Sequence, residues 1–135
     1  MANDKPEHVA SRRPLSPHLS VYRPMMTMMM SMAHRITGVC LYLGMALLGL
    51  WLLGAAMGPN VFALVGWLGS GFLGAIIVFL VTWSIFHHLL GGVRHAFWDR
   101  GLYMDPKGRE TLALGTLYGG LGLTLALWII RAVVG

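Results

Sequence analysis

The chain has 135 residues, which is room for one domain; 56% of them are hydrophobic and only 11% are charged. Soluble domains carry roughly 25% charged residues, so this composition, with a mean hydropathy of +0.67, excludes an ordinary soluble protein and indicates a membrane protein. The net charge of +5 does not indicate nucleic-acid binding, because the basic residues stand at the ends of apolar segments and form no patch between aromatic residues.

Residues 1–24 are polar and are interrupted by four prolines. Because proline removes a helical hydrogen-bond donor and clashes with the preceding turn, this segment predicts an extended cytoplasmic arm. For the first ten residues, a disordered tail fits equally well. No apolar signal stretch and no arginine- and serine-rich transit segment stands in this region, which favours a bacterial inner (plasma) membrane protein or a mature chain.

Three apolar segments predict transmembrane helices at about 27–57, 62–95 and 111–134. The fold class is therefore an all-α membrane protein, with one anchor domain over residues 1–135. The second segment is unusually long, so we expect it to tilt or to project beyond the bilayer. The lone Cys40 in the first segment allows no disulfide framework.

The connections and one helix face carry further expectations. Gly58-Pro59-Asn60 predicts a tight turn, residues 94–110 predict a polar loop, and Asp105-Pro106-Lys107-Gly108 predicts the turn within that loop. Gly115 and Gly119 have the spacing of a small-residue face for close helix contact, although the abundance of glycine in membrane helices explains them equally well.

Lysine and arginine are distributed unevenly between the connections. The chain up to Arg35 has five, residues 94–110 have four, and the turn between the first two segments has none. Because cytoplasmic flanks are enriched in these residues, the pattern predicts a cytoplasmic N-terminus and a periplasmic C-terminus.

The cytoplasmic end of the second segment carries histidines beside glycines. On helical spacing, Gly92 and His95 fall within about 40° of His88, whereas His87 points about 100° away from it. An imidazole that can reach a metal, next to a backbone without side chains, suits a flat cofactor. The alternative is that these histidines are hydrogen-bonded packing residues.

A second polar cluster begins the first segment. Ser31, His34, Arg35 and Gly38 are spaced i, i+3, i+4 and i+7, which places them on one helix face. Such a face could hold carboxylates, such as the propionates of a cofactor, or hydrogen-bond the carbonyl of a quinone. The alternative is an interfacial arginine that reaches toward the headgroups, with a serine at the helix start.

Taken together, these motifs resemble the cytochrome b subunit of succinate dehydrogenase (complex II). The resemblance covers nearly the whole chain, because the order and spacing of the motifs match as well as their residues. The motifs are Arg13-Pro14-Leu15-Ser16-Pro17-His18-Leu19, Tyr22-Arg23-Pro24, Ser31-x-x-His34-Arg35-x-Thr37-Gly38, and His88-x-x-x-Gly92-Val93-Arg94-His95 with Trp98-Asp99.

The resemblance implies a haem b shared with a second membrane-anchor subunit. It implies that His88 is the axial ligand of the haem iron and that His34, Arg35 and His95 lie near the haem propionates. It also implies that Ser31 and Arg35 line the ubiquinone-binding site. A shift of one residue in the match would exchange His88 for His87.

The resemblance further implies an iron–sulfur subunit and a flavoprotein as partners, besides the membrane lipids. Succinate would be oxidised on the flavoprotein, so this chain would have no catalytic residue of its own although it belongs to a succinate:quinone oxidoreductase. Two alternatives remain: the anchor of a fumarate reductase-type quinol oxidoreductase, and a haem-free structural membrane anchor. A transporter subunit is disfavoured, since three spans without an inverted repeat do not build one.

Overall fold

The structure, a computed structural model, describes residues 22–68 and 70–134, and within them it contains four helices and no strand. Helix α1 runs over Met26–Met57, α2 over Pro59–Leu68, α3 over Gly71–Asp99 and α4 over Pro106–Val134. Helices α1, α3 and α4 are long and apolar enough to cross a membrane. The prediction of an all-α protein with three membrane-spanning helices is confirmed. Most of the predicted arm, residues 1–21, lies outside the described residues.

The second predicted span differs from the structure at its start. Instead of one long helix, a short α2 is followed by a break and by the 29-residue α3. Ser70 is extended (φ −88°, ψ 165°) and Gly71 has a φ of +77°, a conformation that is open to glycine but costly for other residues. The Ser70 hydroxyl donates to the carbonyl of Trp67 at 2.7 Å, which closes the end of α2.

The other connections are tight. The predicted turn after α1 is confirmed at Gly58, whose φ is +110°, and Pro59 starts α2 at the position where a missing N–H costs nothing. Before α4, the Asp105 carboxylate accepts a hydrogen bond from the N–H of Gly108 at 3.0 Å. This segment is therefore the capped start of α4, and the predicted loop 94–110 shrinks to residues 100–105.

Helix α3 is the centre of the fold, because it packs on α1 on one side and on α4 on the other. The close approach to α4 is at Gly120, where an added Cβ would lie 3.1 Å from the Cα of His87. An added Cβ at Gly119 would lie 2.8 Å from a methyl group of Leu90 on α3, whereas an added Cβ at Gly115 would meet nothing within 4 Å. The prediction of a close helix contact is thus wrong for Gly115 among the described residues. The contact between α4 and α3 is centred at Gly120, the residue after Gly119.

Candidate functional site

The ring of His88 is held between α3 and α1. It stacks on the ring of His34, with 3.9 Å between the ring centroids and 12° between the planes. Its Nδ1 lies 3.2 Å from the backbone carbonyl oxygen of His34. A carbonyl only accepts, so Nδ1 carries the proton and donates it, and Nε2 keeps a free lone pair. His88 is therefore in the tautomer that coordinates a metal through Nε2.

Two glycines make room for this histidine pair. A Cβ at Gly91 would overlap the ring of His34, coming within 2.8 Å of its Nε2, and a Cβ at Gly38 would lie 3.1 Å from Cε1 of His88. Gly92 differs, because it is exposed and an added Cβ there would contact nothing within 4 Å. The side of α3 that continues from His88 through Gly92 is consequently open.

His95 and Trp98 extend the aromatic cluster toward the end of α3. The His95 ring meets the ring of His34 edge-on at 5.5 Å and the Trp98 indole at 5.3 Å. His95 is exposed, whereas His34 and His88 are half-buried. The three histidines that were expected to share a site are thus brought together by the packing of α1 on α3.

Arg94 is buried beside this cluster. Only 2% of its surface is exposed, and its guanidinium carbon lies 5.1 Å from the centre of the Trp98 ring. Its Nε and Nη1 are buried and have no hydrogen-bond partner within the part of the chain that the structure describes. A buried cation without an anion beside it is costly, and none of the described residues supplies that anion here. This end of α3 would therefore be stabilised by a bound negative group.

His87 lies in a different environment from its neighbour. It is fully buried (0% exposed) where α3 meets α4, with its Cα and backbone N against Gly120 and its ring 5.1 Å from that of Trp83. Both ring nitrogens are buried and unpaired among the described residues. The expectation that His87 and His88 point to different sides is confirmed, and the contact with Gly120 leaves no room for a flat cofactor beside His87.

The four residues that were predicted on one face of α1 divide into two pairs in the structure. His34 and Gly38 turn toward α3 and contact His88 or its neighbours, whereas Ser31 and Arg35 are exposed. On a helical wheel the two pairs are offset by about 60°, which is enough to place one pair in the helix contact and the other at its edge.

Comparison with known proteins decides the family. The model for the "Succinate dehydrogenase/Fumarate reductase transmembrane subunit" family matches residues 10–130. The chain belongs to this family. The predicted resemblance is therefore confirmed, and the chain is a multi-pass transmembrane subunit of an oxidoreductase complex.

Individual relatives match along most of their length. The "Succinate dehydrogenase cytochrome b556 subunit" of Paracoccus denitrificans is 36% identical over 118 residues, which cover 87% of this chain and 91% of the relative. The subunit of the same name from Rickettsia conorii is 30% identical over 123 residues, which cover 91% of this chain and 96% of the relative. The "Succinate dehydrogenase cytochrome b560 subunit" of Reclinomonas americana is 35% identical, with 87% and 85% covered.

The histidines of this transmembrane subunit do not form a chelating metal cluster. Within residues 22–68 and 70–134 no group of three or more histidine, cysteine, aspartate or glutamate side chains could hold a metal ion. Stacked rings explain this, because the lone pairs of His34 and His88 lie in nearly parallel planes and do not converge. The site fits a group that takes one imidazole from this chain and brings four nitrogen ligands of its own, as a haem does.

Two residues of the site were assigned no role from the sequence. Thr37 is buried, and its hydroxyl lies 2.9 Å from the carbonyl of Ala33 and 3.0 Å from that of His34, the same carbonyl that His88 uses. Gly91 leaves space for the ring of His34, which an added Cβ would overlap. Spacing along one helix could not reveal either role, because both depend on which residues of α1 meet α3.

Proposed function

We propose that this chain is the membrane-anchor cytochrome b subunit of a succinate dehydrogenase, with His88 as its axial ligand to a b-type haem shared with a second anchor subunit. The observation that carries the assignment is the bond from Nδ1 of His88 to the His34 carbonyl. Histidine ligands usually donate their other ring N–H to a carbonyl or carboxylate, which fixes the ring and raises its basicity. The exposed, empty side of Gly92 gives a flat macrocycle access to this ring.

The same end of the two helices suits the haem propionates. His34, Arg35 and His95 stand there, as the resemblance implies, and the exposed guanidinium of Arg35 can bind a carboxylate in bidentate fashion. When bound, haem b supplies a reversible carrier of one electron at this depth of the membrane. The chain's own part is to ligate the iron, to orient the ring and to offset the negative charge of the propionates.

Ser31 and Arg35 are proposed to line the site where ubiquinone is reduced. Both are exposed, one helical turn apart, at the start of α1. A hydroxyl and a guanidinium can donate hydrogen bonds to the carbonyl oxygens of a quinone. Their place near the end of the span would give the site access to protons from the aqueous side, which reduction to quinol consumes.

The proposed partners are a second anchor, an iron–sulfur subunit and a flavoprotein on which succinate is oxidised. The large apolar side chains of α1, α3 and α4 are mostly exposed, which suits contact with both lipid and a second anchor. We place the chain in a bacterial inner membrane. The excess of lysine and arginine in the chain up to Arg35 and in residues 94–110 supports a cytoplasmic N-terminus and a periplasmic C-terminus there.

The experiment is to purify the complex through an affinity tag on this chain and to measure its flavin, iron and haem content and its activity in both directions. We expect about one haem for each flavin and succinate-dependent ubiquinone reduction that exceeds quinol-dependent fumarate reduction. A complex that reduces fumarate faster would instead favour the fumarate reductase-type anchor. A flavoprotein complex without haem would leave only the structural anchor.

A further inference from the structure

We propose that Gly38 and Gly91 are positioning residues for His88, because they let α1 approach α3 so closely that a backbone carbonyl of α1 fixes the ring and its tautomer. This inference rests on the proposed function, in which His88 ligates a haem. It adds that the second partner of the ligand is not a side chain but the main chain of α1.

The ring of His88 is hydrogen-bonded to the main chain of α1. Most of the carbonyls in α1 are committed to the N–H four residues ahead, yet the carbonyl of His34 also receives Nδ1–H of His88 at 3.2 Å. A carbonyl oxygen has two lone pairs, so it can accept both while the hydroxyl of Thr37 donates to the nearer carbonyl, that of Ala33 at 2.9 Å. No substitution of the His34 side chain removes this acceptor, and the bond depends on the distance between the two helices.

The absence of a side chain at Gly38 leaves room for the ring of His88. An added Cβ would lie 3.1 Å from Cε1 and 3.6 Å from Nδ1 of His88, and the first of these distances is shorter than an ordinary van der Waals contact by a few tenths of an ångström. The His88 ring is confined on its other side by the stacked ring of His34, 3.9 Å away. A methyl group at position 38 therefore has to push the ring or the whole helix outward, and either movement lengthens the Nδ1–carbonyl bond.

The absence of a side chain at Gly91 leaves room for the ring of His34. Its Cα faces the ring of His34, and an added Cβ would overlap that ring. The ring cannot retreat without leaving its stack on His88, since the two planes differ by only 12°. Gly91 thus acts on His88 through His34, and Gly38 acts on it directly.

The expected consequence concerns the haem iron. A hydrogen bond from Nδ1–H makes the imidazole a stronger donor and stabilises the oxidised iron. If the helices are forced apart, the bond weakens, so the midpoint potential of the haem should rise. The g-values of the oxidised low-spin haem, which report the orientation of the axial ring planes, should change as well.

The test compares Gly38→Ala with Gly115→Ala in the intact purified complex. Gly115 is a matched control, because an added Cβ at this membrane-helix glycine contacts nothing within 4 Å. We expect Gly38→Ala to shift the midpoint potential upward and to alter the g-values, or to lower haem content severalfold relative to flavin. Gly115→Ala should match the wild type. A Gly38→Ala complex with wild-type haem content, potential and g-values would overturn the inference.

A second pair of variants covers a failure of assembly. Gly91→Ala should reduce the yield of haem-containing complex in the wild-type background. In a His34→Ala background the same substitution should cause no further loss relative to His34→Ala alone, because the ring that the new methyl group would overlap is gone. An equal loss in both backgrounds would contradict the role of Gly91.

Failure of the inference differs from failure of the proposed function. If His88→Ala keeps its haem, the ligand assignment itself is wrong. If His88→Ala loses haem while Gly38→Ala behaves like Gly115→Ala, the ligand assignment stands and only the positioning role falls.

Discussion

At the scale of single residues, His87 and His88 show how burial separates two identical side chains. His87 lies in the α3–α4 interface with two buried nitrogens that have no partner among residues 22–68 and 70–134, and His88 lies against α1 with one nitrogen hydrogen-bonded to a carbonyl. Chain position predicted the different directions of the two rings. It could not predict their surroundings, which depend on whether α1 or α4 packs on each side of α3.

A stability prediction follows for His87. A buried polar group without a partner costs about 1–3 kcal/mol, so His87→Leu, which has a similar volume, should raise the unfolding temperature of the complex or leave it unchanged. His87→Ala removes the same nitrogens but creates a cavity, and it should unfold at a lower temperature than His87→Leu. Thermal unfolding of the purified complexes measures this. A His87→Leu complex that is less stable than the wild type, or that lacks haem, would show that the imidazole has a partner.

Ser31 and Arg35 carry a prediction about quinone reduction. Loss of a hydrogen bond to the quinone costs about 1 kcal/mol for a neutral donor and about 1.5–3 kcal/mol for a charged one. Ser31→Ala should therefore slow succinate-dependent ubiquinone reduction by roughly fivefold, and Arg35→Ala by roughly tenfold or more. Succinate-dependent reduction of a soluble dye, which takes electrons before they reach the membrane, serves as the control and should not change. Ser31→Ala with a wild-type rate and KM for ubiquinone would argue against a quinone contact.

At the scale of elements, the packing of α3 on both neighbours depends on glycines, not on large apolar side chains. Only Met30 and Ala113 are buried hydrophobic residues among those described, whereas the buried polar residues include Thr37, Thr116 and Thr124. Helices in a bilayer gain little from burying apolar surface against each other, so close backbone approach takes over that role. The α3–α4 contact at Gly120 is the clearest instance.

Gly120→Ala should destabilise this contact. The new methyl group would lie 3.1–3.3 Å from three backbone and Cβ atoms of His87, and overpacking of this kind typically costs about 1–3 kcal/mol. Gly122→Ala is the matched control two residues away, because its added Cβ meets nothing within 4 Å. Thermal unfolding should separate the two variants. Equal unfolding temperatures would mean that α3 and α4 are not in close contact at this point.

The element boundaries show where sequence reasoning succeeded and where it did not. The three spans follow directly from long apolar segments, which is the strongest signal a membrane protein gives. The break before α3 depends on Ser70 and on the positive φ of Gly71, and within an apolar segment such small residues are ambiguous. Asp105 was assigned to a turn because the same residue types start turns and cap helices.

At the scale of the whole molecule, the charged connections predict the orientation in the membrane. Asn60 lies in the first turn of α2, and Leu102 lies between α3 and α4; both are exposed and should face opposite sides of the membrane. In a Cys40→Ser background, a membrane-impermeant maleimide should label Asn60→Cys in intact cells and Leu102→Cys only after lysis. The reverse pattern would invert the proposed topology.

The sequence predicted which histidines lie together, but not the contacts that they make with one another and with the backbone. His34, His88 and His95 were expected together, and α1 and α3 do bring their rings together. The shared carbonyl of His34 and the space at Gly38 arise only from the contact between two helices. A single sequence contains the helix faces but not the register in which those faces meet.

The most direct test of the account is the dithionite-reduced minus oxidised visible spectrum of the purified complex, recorded for the wild type, His88→Ala and His87→Ala. We expect a b-type α band in the wild type and in His87→Ala, and none in His88→Ala, because His88, unlike its neighbour His87, has the hydrogen-bonded Nδ1 of a haem ligand. A band that persists in His88→Ala, or one that disappears only in His87→Ala, would contradict the central assignment.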